Sequence, residues 1–326
     1  MPLTKESTPI RAIAVVGPTA SGKTALAIEL ARRLHSEIIS CDSMQIYRFM
    51  DIGTAKATEE EQRAVPHHMI DILPPNAPYS AADYGEEAYR VASALSMRGI
   101  TPIFCGGTGL YLNAACRAVH ESAPMADPSI RARLSALGES EQGRETLWQT
   151  LLENDPEEAA KTHKNNLRRV IRALEIYELT GKPKSFFDRQ SQTTPPRIAL
   201  LPILLDFRDR QLLYRRIDER VDAMMANGLA DEVRTLLSAG LLSPDTTAGQ
   251  AIGYKELCAW LEGRMTKEEA VGDLKTATRR YAKRQLTWFR AMDGILSLTP
   301  DLEDGSLKNA EQLADELDAR IRAFLA

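Results

Sequence analysis

Long apolar runs are absent from this sequence of 326 residues. No run approaches the roughly 18 residues that a membrane-spanning helix needs, so we predict no association with a membrane. The first residues, MPLTKESTPIR, also lack the apolar core of a secretory signal. We therefore expect a cytoplasmic protein.

Cysteine is scarce, with four in the whole chain: Cys41, Cys105, Cys116 and Cys258. No two of them form a CxxC pair, and their spacing suits neither a zinc site nor a disulfide framework. This pattern agrees with a protein of a reducing compartment.

Excess positive charge is also missing, since the formal net charge is −4. The segment 300–326 holds seven acidic and three basic side chains, which account for the whole net charge. Two local segments are nevertheless basic, KNNLRRVIR (164–172) and KTATRRYAKRQLTWFR (275–290). The second contains six cationic side chains and no acidic one. The net charge therefore does not exclude contact with nucleic acid, because phosphates respond to local cations.

The first third of the chain alternates between strand and helix patterns. Short apolar runs at 12–17, 37–42 and 101–107 are typical of buried parallel strands. Helical patterns at 23–35 and 82–99 lie between them, and the second ends at a glycine. This order predicts an α/β fold, with a doubly wound parallel sheet covered by helices.

The pattern then changes, because residues 123–200 are charged and mostly helical in character. A strand pattern returns at 201–207, followed by two helices that separate near Gly228. We therefore predict a core formed by 1–122 and 201–326, with a helical C-terminal region, interrupted by an all-helical insertion at 123–200.

The segment GPTASGKT, residues 17–24, fits the phosphate-binding loop GxxxxGK[ST] between a predicted strand and a predicted helix. Gly17 and Gly22 allow backbone N–H groups to point inward, and the start of the helix adds partial positive charge. Lys23 supplies a cation, and the Thr24 hydroxyl suits Mg²⁺. The alternative is a glycine-rich turn that only caps the helix. We predict a P-loop that binds a polyphosphate.

An ATP- or GTP-hydrolysing enzyme usually also carries an acid at the end of another core strand, for Mg²⁺ and water. Here that place, after the third predicted strand, holds Cys105, Gly106 and Gly107. An acid follows the second strand instead, at Asp42, on the edge where α/β sheets bind ligands. Asp42 is a candidate general base, although it could equally cap a turn or assist Mg²⁺.

Eight blocks occur in an order that resembles the bacterial tRNA dimethylallyltransferases, the tRNA isopentenyltransferase family. They lie between positions 12 and 290, which is nearly all of the chain except its two ends. The blocks read GPTASGKT, DSMQIYR, HHMIDIL, PIFCGGTGLYL, RRVIRALEIY, RVDAMMANGLADEV, QAIGYKE and YAKRQLTWFR.

The resemblance implies transfer of a dimethylallyl group from dimethylallyl diphosphate to N6 of adenosine 37 in the anticodon loop of tRNA. The P-loop would then hold a departing diphosphate, so no nucleotide hydrolysis is needed. It also implies Mg²⁺ as cofactor and tRNA as partner, and a monomer is our expectation although the sequence leaves a dimer open. His67 and His68 belong to the pattern without a metal role.

The resemblance also carries roles onto single residues. Asp42 would accept the N6 proton, Thr24 would hold Mg²⁺ through its hydroxyl, and Arg220 would clamp the diphosphate. The adenine would flip out of its stack to react. The diphosphate-binding residues would be Gly17, Pro18, Thr19, Ala20, Ser21, Gly22, Lys23 and Thr24. The tRNA contacts would be Asp42, Ser43, Met44, Gln45, Thr108, Arg131, Arg168, Arg169, Val170, Ile171, Arg172, Gln250, Ala251, Ile252, Gly253, Tyr254, Lys255, Lys283, Arg284, Gln285, Trp288 and Arg290.

Several of these residues have a structural alternative. Gln45 could hydrogen-bond the base edge, whereas Arg220 could be an ordinary solvated helix arginine. The arginines of 168–172 could contact phosphates or form ion pairs with nearby glutamates. Trp288 could serve as a stacking platform or pack its helix onto the core.

Two other functions remain open from the residues themselves. A P-loop kinase for a small molecule or nucleotide would use the same loop and sheet with ATP. An RNA-binding module with a degenerate loop is less favoured, because Lys23, Thr24 and Asp42 are all intact.

Overall fold

The computed structural model describes residues 8–117 and 127–326. These residues divide into two compact units. The core unit consists of the described residues up to Cys116 together with Arg197–Ala326, and the helical unit is the described part of Arg117–Pro196. Strand β5 begins at Ile198 and pairs with β1 (Ile10–Val16), so the predicted boundary at 200 lies inside the sheet.

The core unit is built on a sheet of six strands, all parallel, in the order β3-β2-β4-β1-β5-β6. This confirms the predicted α/β fold with a doubly wound parallel sheet. The pattern at 101–107 forms the fourth strand rather than the third, because His67 and His68 add a short strand at the sheet edge. The strands are β1 (Ile10–Val16), β2 (Ile38–Ser40), β3 (His67–His68), β4 (Ile103–Gly106), β5 (Ile198–Leu205) and β6 (Leu296–Leu298).

Helices cover both faces of this sheet because side chains alternate along each strand. On β1, Ile13 and Val15 pack on one face, and Ala12, Ala14 and Val16 pack on the other. The helices of the core unit are α1 (Lys23–Leu34), α2 (Glu59–Ala64), α3 (Ala81–Met97), α4 (Gly109–Cys116), α10 (Arg210–Ala226), α11 (Leu229–Ser238), α12 (Tyr254–Leu261), α13 (Lys267–Arg290) and α14 (Ala310–Leu325).

Helices α1 and α14 share the first of these two cores, and the remaining larger helices pack on the second. Gly228 separates α10 from α11 as predicted, with a positive φ of 96° that a side chain would strain. No described helix has the length and apolar character needed to cross a membrane.

The helical unit contains five helices among its described residues. They are α5 (Pro128–Leu137), α6 (Glu141–Asn154), α7 (Pro156–Lys161), α8 (Leu167–Thr180) and α9 (Lys184–Thr193). Leu134, Leu147, Leu151, Val170 and Leu174 form its own apolar core. The helical character that the sequence predicts for this region is therefore observed in its described residues.

Sheet register decides where the functional residues meet. Val16 at the end of β1 pairs with Gly106 at the end of β4, and Ser40 at the end of β2 pairs with Cys105. Because the strands are parallel, the loops that follow them leave the sheet at the same edge. Residues 17–24, Asp42 and Thr108 are thereby brought to one edge.

Candidate active site

The phosphate loop connects β1 to α1 and has the backbone geometry of an anion-binding turn. Gly17 and Gly22 have φ angles of 147° and 92°, and Ala20 between them lies at 62°. Gly22 caps α1 without any side-chain hydrogen bond, so the first N–H groups of this helix stay available to a ligand.

Two polar side chains of this loop have unusual surroundings. The Ser21 hydroxyl is buried and has no hydrogen-bond partner among the described residues, as expected of a group that meets a ligand oxygen. Lys23 donates from Nζ to the Pro18 carbonyl at 2.6 Å. The pKa of Lys23 is lowered to about 8, mainly by burial and in part by the nearby Arg220 charge, while Cys105 and Asp42 act in the opposite direction.

Asp42 lies two residues beyond β2, in a turn that its own carboxylate organises. Its Oδ1 accepts a hydrogen bond from the Met44 backbone N–H at 2.9 Å. Burial raises the pKa of Asp42 above its ordinary value, while that hydrogen bond and the charges of Lys23 and Arg220 act in the opposite direction. A carboxylate with a raised pKa next to two cations is a candidate general base.

Ser43 and Thr108 connect the Asp42 turn to the loop that follows β4. The Ser43 N–H donates to the Thr108 hydroxyl at 3.1 Å, and the Thr108 N–H donates to the Cys41 carbonyl at 3.0 Å. A Cβ at Gly106 would lie 2.1 Å from the Cys41 carbonyl oxygen, so this approach requires glycine. The two predicted contact positions are therefore neighbours in space.

Gln45 is occupied by the protein itself. Its carbonyl accepts from the Ser40 hydroxyl at 2.9 Å, and its amide group donates to the carbonyls of Thr54 and Ala55. The side chain fixes the loop that follows Asp42. A hydrogen bond to a base edge, as the sequence predicts, would replace one of these three.

Arg220 on α10 is brought to the site. Burial lowers the pKa of Arg220, and the Asp42 charge raises it, which places the two groups within electrostatic reach. Sequence reasoning missed Arg216, which donates from Nε to the Ala20 carbonyl of the phosphate loop at 3.1 Å. Its position four residues before Arg220, on the same helix face, is the signal that could have revealed it.

Tyr281 on α13 is a second residue that the sequence analysis missed. Its hydroxyl faces the Gly107 carbonyl at 3.5 Å and also hydrogen-bonds Thr108. Burial raises the pKa of Tyr281, and the Asp42 charge raises it further, so the phenol stays protonated at neutral pH. The signal was its place four residues before Gln285, on the same helix face.

The segment Gln250–Lys255 is divided between surface and interior. Gln250 and Lys255 are exposed, whereas Tyr254 is completely buried with its hydroxyl 2.6 Å from a Glu232 oxygen. Glu232 also accepts the backbone N–H groups of residues 51–53. The tyrosine therefore supports the loop after Asp42, and its side chain has no surface left for RNA.

The segment Lys283–Arg290 presents a cationic and aromatic surface. Lys283, Arg284 and Trp288 are exposed, and together with Met292 they line an open groove of about 590 Å³. Arg290 makes a two-point ion pair with Asp206 at 2.8 Å for each contact. Gln285 points inward and is 5% exposed.

The helical unit holds the remaining predicted contacts. Arg168 and Arg169 are exposed at the start of α8, whereas Val170 and Ile171 are buried in the core of the unit. Arg131 and Arg172 both bind the buried carboxylate of Glu175, at 2.8 Å and 2.7 Å. The expected contact side chains thus include two that serve packing and two that form an internal ion-pair network.

Metal ligands are sparse in the described residues, where no cluster of three or more His, Cys, Asp or Glu side chains could hold a metal. His68 pairs with Glu37 at 2.6 Å, and His67 faces the Val65 carbonyl. Thr24, half-buried in the first turn of α1, and the unpartnered Ser21 hydroxyl are oxygen groups beside a phosphate cradle. This donor set fits a Mg²⁺ ion that keeps water and substrate oxygens as its other ligands.

Sequence comparison identifies relatives along most of the chain. A profile of the family described as IPP transferase matches residues 45–292, and one described as Isopentenyl transferase matches residues 10–71. The tRNA dimethylallyltransferase of Geobacillus thermodenitrificans is 50% identical over 279 residues, covering 85% of this chain and 87% of that protein. The enzyme of the same name from Thermoanaerobacter sp. strain X514 is 45% identical over 305 residues, covering 93% and 95%.

Solved structures agree with the sequence relatives. A eukaryotic dimethylallyltransferase acting on tRNA matches with a TM-score of 0.78 at 30% identity, over 96% of this chain and 80% of that one. The tRNA delta(2)-isopentenylpyrophosphate transferase of Staphylococcus epidermidis matches with a TM-score of 0.69 at 37% identity, over 97% and 99%. The chain therefore belongs to the IPP transferase family.

Proposed function

We propose that this protein transfers a dimethylallyl group from dimethylallyl diphosphate to N6 of adenosine 37 in the anticodon loop of tRNA, releasing diphosphate. The observation that carries the proposal is the Asp42 carboxylate at the same sheet edge as the phosphate loop, where the charges of Lys23 and Arg220 act on its pKa. Family membership and the names of the relatives support the same reaction.

The phosphate loop binds the diphosphate in this proposal. Negative charge grows on its bridging oxygen as the bond to the allylic carbon breaks. The N–H groups at the start of α1, the Lys23 ammonium and the Arg220 guanidinium stabilise that charge. Mg²⁺ held through the Thr24 hydroxyl would supply further charge neutralisation for the leaving diphosphate.

Asp42 acts on the other reactant. The N6 amine is a weak nucleophile because its lone pair is delocalised into the purine ring, so losing a proton during attack favours the new C–N bond. A carboxylate whose pKa is raised by burial is a better proton acceptor than an ordinary aspartate. Ser43 and Thr108, which hydrogen-bond each other beside Asp42, hold this turn in place.

The basic groove supplies a surface for the RNA. Lys283 and Arg284 meet phosphates, and the exposed Trp288 offers a face on which an unstacked base can lie. In the helical unit, Arg168 and Arg169 are exposed cations of the same kind. Phosphate contacts of this type set RNA affinity and make it fall with salt.

The decisive experiment incubates the purified protein with Mg²⁺, dimethylallyl diphosphate and an unmodified tRNA containing adenosine 37. The tRNA mass should rise by one dimethylallyl group, and nuclease digestion should place it on that adenosine. ATP in place of the allylic diphosphate should give no product. Phosphate transfer from ATP without prenylation would instead establish the rival kinase function.

Asp42→Asn tests the catalytic assignment. Turnover should fall by a factor of about 100 or more, within the usual contribution of a general base, while inorganic pyrophosphate still binds. Because burial raises the pKa of Asp42, its charged form costs folding stability at neutral pH, so the amide variant should be at least as stable. Asp318→Asn, the same change in an exposed pair on α14, is the matched control. Unchanged turnover in Asp42→Asn would remove Asp42 as the base.

A further inference from the structure

Gln285 joins three elements around the catalytic edge. From the inner face of α13, its carbonyl oxygen accepts the backbone N–H of Thr19 in the phosphate loop at 3.0 Å. Its amide nitrogen donates to the carbonyl of Gly107, after β4, also at 3.0 Å. The side chain is nearly completely buried, so both bonds lie away from solvent.

The turn after β4 is shaped to receive this helix face. A Cβ at Gly107 would lie 1.9 Å from the Gln285 amide nitrogen, and a Cβ at Gly109 would lie 2.0 Å from the indole nitrogen of Trp288. Gly107 does not have a positive φ, so space rather than backbone conformation requires glycine there. The bridge of hydrogen bonds made by Gln285 therefore depends on the absence of a side chain at Gly107, a position that can be substituted independently.

The bridge determines which N–H groups remain for a ligand. The Thr19 N–H is held by Gln285, so the donors left to the cradle are those of residues 20–24. The loop is also anchored by Arg216, which donates to the Ala20 carbonyl. A loop fixed before its ligand arrives loses less conformational freedom on binding, which strengthens the complex.

We propose that Gln285 is a positioning residue for the donor site: it fixes the phosphate loop against the turn after β4, and does not contact RNA through its side chain. This inference rests on the proposed function, because it assigns the loop a diphosphate. It gives the two faces of α13 different tasks. Lys283 and Arg284 point outward to RNA, while Gln285 points inward to the donor cradle.

Binding of inorganic pyrophosphate in the presence of Mg²⁺ tests the proposal without any prenyl donor. Gln285→Met preserves the length of the side chain and removes both hydrogen bonds. The dissociation constant for pyrophosphate should therefore rise about tenfold. The affinity for unmodified tRNA should stay within about twofold. Thr287→Ala, an exposed position on the same helix, is the matched control and should leave pyrophosphate affinity unchanged.

Gly107→Ala provides a second route to the same defect. The new methyl group displaces the Gln285 amide, so this variant should also weaken pyrophosphate binding about tenfold. In a Gln285→Ala background the obstructing amide is gone, and Gly107→Ala should cause almost no further loss. Non-additive effects of the Gly107 and Gln285 substitutions would report the contact between these two residues. This comparison therefore tests the proposal even if Gln285→Met folds poorly.

Steady-state kinetics separate positioning from RNA contact. Gln285→Met should raise KM for dimethylallyl diphosphate and leave KM for tRNA nearly unchanged. Unchanged pyrophosphate affinity, weaker tRNA binding, or additive effects of the two substitutions would each overturn the inference. If the unaltered protein itself fails to bind pyrophosphate, the proposed diphosphate site is wrong, which is a different outcome.

Discussion

Helices α8 and α13 share a basic character in sequence but differ in what their inner faces contact. Each carries a basic segment, and each leaves exposed cations without an acidic partner among the described residues: Arg168 and Arg169 in α8, and Arg280, Lys283 and Arg284 in α13. The inner face of α8 buries apolar residues around one carboxylate, Glu175. The inner face of α13 carries Tyr281 and Gln285 to the turn after β4, and Gln285 also reaches the phosphate loop. A basic segment in the sequence therefore indicates which face of a helix is exposed, but not what the opposite, buried face contacts.

The largest effect on stability should come from replacing Glu175, the buried carboxylate on the inner face of α8. Its carboxylate is completely buried and binds the Asp127 N–H, Arg131 and Arg172. Glu175→Ala should lower the free energy of unfolding of the helical unit by about 3 kcal/mol, because all three bonds are lost. Urea unfolding measures this. A loss below about 1 kcal/mol would show that the network does not stabilise this unit.

At acid pH, the free energies of unfolding of the unaltered protein and the Glu175→Ala variant should come closer together. Burial raises the pKa of Glu175, but hydrogen bonds from Arg172, Arg131 and the Asp127 backbone lower it more, and the folded pKa lies below the usual glutamate range. Its contribution is therefore complete above the ordinary pKa and is lost as the pH falls through the lowered value. A difference that persists at that acid pH would contradict the charged role.

The outer face of α13 should show the next largest effect, on RNA rather than on stability. Lys283→Ala with Arg284→Ala should weaken tRNA binding at least tenfold and reduce the slope of log affinity against log salt by about 2. Lys275→Ala is the matched control, because Lys275 already pairs with Asp222 at 2.7 Å. An unchanged salt slope in the double variant would mean that these two cations do not touch phosphate.

Two arginines of α8 sharpen the contrast within a single helix. Arg172→Ala should cost about 1 kcal/mol of unfolding free energy, because it removes one bond to Glu175, without changing the salt slope. Arg168→Ala should leave stability within about 0.5 kcal/mol and reduce the salt slope by about 1. Filter binding at several salt concentrations and urea unfolding report both properties. If both variants changed stability and salt slope in the same way, the proposed division between a structural Arg172 and an RNA-binding Arg168 would be wrong.

The smallest effect is expected at the end of α13. Arg290 is predicted from sequence to contact tRNA, but its guanidinium is already paired at two points with Asp206. Arg290→Ala should therefore leave the salt slope of tRNA binding unchanged within error, and Asp206→Asn should raise tRNA affinity slightly by releasing the cation. A slope reduced by about 1 in Arg290→Ala would show that this arginine reaches phosphate despite its partner.

Local patterns were sufficient for four of the six strands of the sheet, because apolar runs, glycines and the phosphate motif act over a few residues. The strand at 201–207 was predicted, whereas the observed strand is Ile198–Leu205, where both the apolar run IALLPILL and the pairing with β1 begin at Ile198. The short strand at His67–His68 was missed because two residues carry no detectable period. The phosphate motif pointed to Lys23, and the position just after the second predicted strand pointed to Asp42, before their surroundings were known.

Side-chain partners distant in sequence were beyond such patterns. Tyr254, Val170 and Ile171 belong to segments matched to tRNA contact, and burial assigns their side chains to the interior. Gln285 meets Thr19 across 266 residues of sequence, a pairing that no local rule encodes. Segment matching therefore predicts regions of tRNA contact, but it does not show which side chains of those regions face outward.

By itself, the sequence determined an α/β core with a phosphate loop, an aspartate after the second strand and two basic helical segments. Short-range rules suffice there, because a glycine, a lysine or an apolar period acts on its immediate neighbours. The tertiary structure alone decided which cations stay available, which polar side chains are buried, and that α13 holds the phosphate loop. Those outcomes depend on which surfaces come together when parallel strands align, and on the burial that this alignment imposes.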